Sequence, residues 1–127
     1  MNIRFVRPFA VLVVVVMIAV AGQPALGPKD TLLKAIEKTR EMWVYAEKND
    51  LPEAIKSGEA AMEHIEAVYS EMDIPDSPYK TSRSYVGDAK AFLRVALNYA
   101  KEGNSSDAKS YGLKTEASLQ RANDALP

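Results

Sequence analysis

YAEKNDLPEAIKSGEAAM, residues 45–62, and YAKEGNSSDAKSYGLKTE, residues 99–116, lie 54 positions apart and read as two copies of one helical turn. Tyr45/Tyr99, Ala46/Ala100, Ala54/Ala108 and Gly58/Gly112 are identical pairs, and the match continues backwards through Ala35/Ala89 and Arg40/Arg94. Each copy carries turn chemistry at its centre. Asp50 stands three before Glu53 and Asn104 three before Asp107, a spacing at which a side-chain oxygen accepts the orphan amides of a new helix. Pro52 suits the first turn of that helix, which has no use for its N–H. Gly103 suits the left-handed residue that ends the helix before it. Each copy is therefore helix, tight turn, helix.

Working outward, apolar residues recur at three and four along every arm. The first helix offers Leu32, Ala35, Ile36, Thr39, Trp43 and Ala46. The second offers Ile55, Gly58, Met62, Ile65, Tyr69 and Met72. Val86, Ala89, Leu93, Ala96 and Ala100 form the third stripe, flanked by Tyr85, Phe92 and Tyr99. The fourth (Ala108, Tyr111, Gly112, Thr115, Leu119, Ala122, Leu126) carries the least apolar bulk and is the arm expected to approach closely or to be loosely held. Pro75 and Pro78 in DIPDSPYK forbid a continuous helix between the copies. Two hairpins with apolar stripes must bury them against each other. The expected fold is an all-α antiparallel four-helix bundle of two repeated hairpins, residues 30–72 and 81–126, joined by loop 73–80. A tetratricopeptide stack is excluded by its shorter period, about 34 residues, and its need for three or more units.

Upstream, Arg4 and Arg7 precede the uncharged run FAVLVVVVMIAVA, Phe9 to Ala21, which ends in small residues. A basic head, a short apolar run and a small-residue end predict a signal peptide over residues 1–21, with linker 22–29 behind it. The run is shorter than the roughly 20 residues a membrane span needs. The expected location is periplasmic or secreted, with no membrane attachment after cleavage. No cysteine follows the run or occurs elsewhere, so neither a lipid-modified N-terminus nor a disulfide is available. Without Arg4 and Arg7, fourteen basic residues face seventeen acidic ones. That mildly acidic balance, with no basic cluster, argues against nucleic acid as a partner.

Chemistry-bearing motifs are scarce. There is no activated serine, no phosphate-cradling glycine loop and one histidine, so no catalytic residues are assigned and the chain is not expected to be an enzyme. A di-iron centre needs Glu-x-x-His, but Ala61 stands three before His64. Haem would need an axial pair, and Met42 and Met62 sit at packing positions; no cofactor is expected. His64 lies at the edge of its stripe, with Ala60, Ala61, Ala67 and Val68 around it and Glu71 about 10 Å along the axis. Glu59, Glu63 and Glu66 fit a solvated face.

The two hairpins, their KND and KEG turns and the run AIKSGEAAMEHIEA, residues 54–67, resemble the small metal-binding proteins of bacterial periplasms. The resemblance spans Leu32 to Ala122 and implies an exported four-helix bundle. It also implies histidines at heptad positions as divalent-metal ligands. Here those places hold Tyr45, Ser57, Tyr99, Tyr111 and Ser118, and only His64 remains. Three functions stay open. The leading one is a non-enzymatic binding protein with a protein partner, for which an exposed apolar patch would speak. The second is weak divalent-metal binding through His64, which convergent carboxylates would favour. The third is small-molecule binding between the hairpins, in a cavity lined by Gly58, Gly112 and the tyrosines. Oligomeric state is not legible.

Overall fold

A computed structural model describes residues 27–127, so the expected signal peptide and most of its linker lie outside the described residues. Four helices follow: α1 Pro28–Glu47, α2 Leu51–Glu71, α3 Lys80–Lys101 and α4 Ser105–Asp124. They form the expected antiparallel bundle of two hairpins, with no strand among the described residues. Each is about 30 Å long. No helix of the described residues is long and apolar enough to cross a membrane. Helix α1 begins at Pro28, two residues before the hairpin start read from sequence, because proline at the first helical position is pre-set for it.

The two tight turns are copies in geometry as well as in sequence. Asn49 (φ 60°) and Gly103 (φ 84°) are the left-handed residues. Behind them, the Asp50 and Asn104 amides donate to the Tyr45 and Tyr99 carbonyls, both at 2.9 Å. The Asn49 and Gly103 amides donate to Ala46 and Ala100. This is the double-bonded termination that satisfies the last carbonyls of a helix. The same Asp50 and Asn104 then cap the next helix, Oδ1 accepting from the Glu53 amide at 3.4 Å and the Asp107 amide at 3.1 Å. One residue ends one helix and starts the next, which fixes the antiparallel return.

Around the bundle, α1 meets α2 and α4, and α3 meets α4 and α2. The repeat extends into the core. Leu32/Val86, Ala35/Ala89, Thr39/Leu93, Met42/Ala96 and Ala46/Ala100 are buried as pairs, and so are Ala54/Ala108, Gly58/Gly112, Ala61/Thr115, Ile65/Leu119 and Val68/Ala122. The stripe expected on α2 is corrected by these positions. Its buried centre runs through Ala54, Gly58, Ala61, Ile65 and Val68, while Ile55, Met62 and Tyr69 lie half-buried at its edges. Small residues hold the centre because that is where the helices approach most closely.

Gly58 and Gly112 mark that approach. A Cβ at Gly58 would stand 2.6 Å from Leu97 Cδ2 and 3.2 Å from Met42 Cγ; one at Gly112 would stand 2.8 Å from Trp43 Cβ and 3.2 Å from Met42 Sδ. Trp43 and Leu97 are themselves repeat equivalents, 54 apart. Each glycine thus admits the same position of the opposite hairpin, and Met42 fills the space between. Leu97, Met42 and Trp43 side chains therefore fill the space beside Gly58 and Gly112.

Two buried polar atoms, Thr39 Oγ1 and Asn123 Oδ1, have no hydrogen-bond partner among the described residues. Thr39 lies in the core, where its repeat equivalent Leu93 is apolar. An unmet buried hydroxyl costs about 1–3 kcal/mol. Thr39→Val keeps the branched shape and removes that hydroxyl, so it is expected to stabilise the bundle by about 1 kcal/mol. Urea unfolding would register this as a higher midpoint at unchanged slope.

Candidate functional site

The singled-out residues do not converge. His64 is half-buried on α2, and Glu59, Glu63 and Glu66 are exposed. Among the described residues no group of three or more His, Asp or Glu side chains comes together in a way that could hold a metal ion. Met42 is buried core, and Met62 is half-buried. Of the heptad places, Ser57 and Ser118 are buried, and Tyr45, Tyr99 and Tyr111 are half-buried.

Trp43, Tyr45, Tyr69, Tyr85, Phe92, Tyr99 and Tyr111 all lie half-buried, and Tyr45, Tyr69, Tyr85, Tyr99 and Tyr111 pack against the core. Their polar tips explain this for Trp and Tyr, because each ring buries its body while its N–H or O–H stays near a partner or water. Tyr99 stacks on Tyr111 with ring centres 5.6 Å apart, and Phe92 lies 6.4 Å from Tyr111. Across the α2–α3 seam the Arg83 guanidinium covers the Tyr69 ring at 3.7 Å, and its Nε donates to the Tyr69 carbonyl at 3.0 Å. That contact satisfies a carbonyl in the last turn of α2.

The α1–α4 seam holds a polar clamp that sequence reasoning missed. Glu116 Oε1 accepts from Trp43 Nε1 at 2.6 Å, and Oε2 accepts from Arg40 Nη2 at 2.7 Å. The Glu116 side chain is only 16% exposed. Burial opposes its charge, but the hydrogen bonds from Arg40 and Trp43 prevail and hold its carboxyl below the usual carboxylate range. At the end of the same seam Lys109 Nζ lies 2.8 Å from Glu47, whose carboxyl is lowered by that bond.

Beside the clamp, a groove of about 510 Å³ runs along the outer side of α1. Leu33, Ile36, Val44 and Tyr45 supply its apolar lining. Glu37, Glu41 and Lys48 stand among them, with Gln120 reaching over from α4. Leu33 is 45% exposed, one of three exposed large apolar side chains among the described residues, with Ile74 and Leu113. The signal in sequence was Leu33 and Val44, eleven residues apart and off the core stripe. Eleven residues are three helical turns, so the two share a face about 16 Å long. No protein-family model matches this chain, nor does any characterised protein or solved structure at a significant level.

Proposed function

We propose that the chain is an exported, non-enzymatic binding protein that docks an amphipathic helix of another protein along the outer side of α1. The observation that carries this reading is the groove through Leu33, Ile36, Val44 and Tyr45. Apolar side chains at two places along α1, Leu33 with Ile36 and then Val44 with Tyr45, would take a partner helix that presents anchors at two matching places. Charge gives the partner a direction. Arg40 is engaged by Glu116 and Glu41 by Lys38. Glu37, between the two apolar pairs, and Lys48, beyond the second, line the same groove. Basic residues of the partner belong near Glu37 and acidic ones near Lys48. Export rests on the basic head and apolar run of residues 1–21.

The test places a photo-crosslinking amino acid at position 33, 44 or 63 of the full chain, with Glu63 as the exposed control on α2. Positions 33 and 44 are expected to yield an adduct with an amphipathic helical peptide of a second protein, position 63 none. Lys48→Glu is expected to weaken that adduct. Equal adducts from all three positions, or none from 33 and 44, would overturn the docking site. A bundle shielded from protease added outside the cytoplasmic membrane would overturn export separately.

A further inference from the structure

The second turn carries a sequence that the first does not. Glu102-Gly103-Asn104-Ser105-Ser106 contains the acceptor pattern Asn-x-Ser, with x other than proline. An acidic residue two places earlier, Glu102, meets the further demand of bacterial oligosaccharyltransferases. We propose that Asn104 is an N-glycosylation acceptor, receiving an oligosaccharide from a lipid-diphosphate-linked donor. The proposal rests on the export reading, because that transfer takes place outside the cytoplasm.

Geometry favours the site. Glu102, Gly103 and Ser106 are exposed at the tip of a turn, and Asn104 and Ser105 between them are half-buried. The first turn of α4 is the part of a helix whose amides lack intrahelical partners, so it opens at small cost. The Asn104 side chain must leave the Asp107 amide, 3.1 Å from Oδ1, and Asp107 Oδ2, 2.8 Å from Nδ2, and a swing of the turn also releases the Asn104 and Gly103 amides from Tyr99 and Ala100. The left-handed Gly103 (φ 84°) lets the chain swing at that point without a side-chain clash. In hairpin one the equivalent positions are Lys48, Asn49, Asp50, Leu51 and Pro52, which offer no acceptor amide at the cap.

The transfer balances simply. Asn104 Nδ2 forms a bond to the anomeric carbon of the sugar as that carbon's bond to the diphosphate oxygen breaks. Nδ2 gives up one proton and the lipid diphosphate leaves. The second N–H remains for Asp107 Oδ2, and Oδ1 keeps its lone pairs for the Asp107 amide. The helix cap therefore survives modification.

The experiment incubates the folded full chain with a purified bacterial oligosaccharyltransferase and its lipid-linked oligosaccharide, and reads intact mass. A peptide of residues 100–108 serves as the reactivity control. The expected result is a gain of one glycan on the folded chain, absent in Asn104→Gln and in Ser106→Ala, which leaves the cap intact. Glu102→Gln should abolish transfer by the bacterial enzyme. Modification of the peptide but not of the folded chain would show that the turn occludes the acceptor and overturn the proposal. No transfer to either would overturn the motif itself. Because the reaction is run outside the cell, its failure is separable from a failure of export, which cell fractionation reads.

Discussion

Met42→Ala is expected to lower the unfolding free energy by about 4 kcal/mol, toward the upper end for a buried methionine truncation. Met42 is fully buried and lies between Gly58 and Gly112. A void collapses when neighbouring side chains can lean into it, and here two of the neighbours have none. The loss should therefore keep most of its cavity penalty. Restoring volume beside it tests the explanation. Gly58→Ala alone should be near neutral, because its Cβ meets the free end of Leu97 at 2.6 Å and a small rotation relieves the contact. In the Met42→Ala background the same change should recover about 1 kcal/mol, from filled space and from the better helix former. Gly112→Ala should behave differently. Its Cβ meets Trp43 Cβ at 2.8 Å, an atom fixed to the backbone of α1. Overpacking of that kind costs about 1–3 kcal/mol, more than alanine's propensity returns. Urea titrations of the four variants would check the series. Additive losses in the double variant would remove the void as the cause.

Glu116→Ala is expected to cost about 2 kcal/mol, since it leaves the Trp43 N–H without an acceptor and releases Arg40. The chain has one tryptophan, so its fluorescence reports this seam directly. Acid should act like the mutation. Glu116 has a folded-state pKa held below its unfolded value by Arg40 and Trp43. Its stabilising contribution is present above the unfolded pKa, near 4.3, and is lost as pH falls through the folded one. Stability of the parent should therefore decline more steeply below about pH 4.3 than that of Glu116→Gln, which has no carboxyl there to titrate. Parallel acid limbs in the two proteins would remove the clamp as a source of acid sensitivity.

The parts of this fold that could be read in advance are those written in contiguous residues. Asp50, Asn104 and Gly103 announce their turns because a cap needs only three or four neighbours to form. The stripe on α2 was displaced toward Ile55, Met62 and Tyr69, because large side chains dominate a hydrophobic pattern while alanine and glycine occupy the closest approach. Glu116 sat among the surface carboxylates in sequence, and only packing brings Trp43, 73 positions earlier, to its oxygen. The α1 groove was hidden for a related reason. Leu33 and Val44 share a helix with the core stripe, and which side of α1 the other three helices leave open is a tertiary fact. His64 was legible as a candidate. Whether carboxylates surround it depends on helices far away in sequence.

The equivalence of the two hairpins has a consequence for the order in which they are joined. Gly27, Pro28, Tyr79, Leu126 and Pro127 line one small hollow at the end of the bundle opposite the two tight turns. The start of α1, the residues after α4 and the inter-hairpin crossing therefore meet at one place. A chain cut near Pro75 and sealed from Pro127 to Pro28 by a connector like residues 73–79 would trace the same four helices with the second hairpin leading. The bundle encodes a cyclic arrangement, and the linear chain is one way of opening the ring.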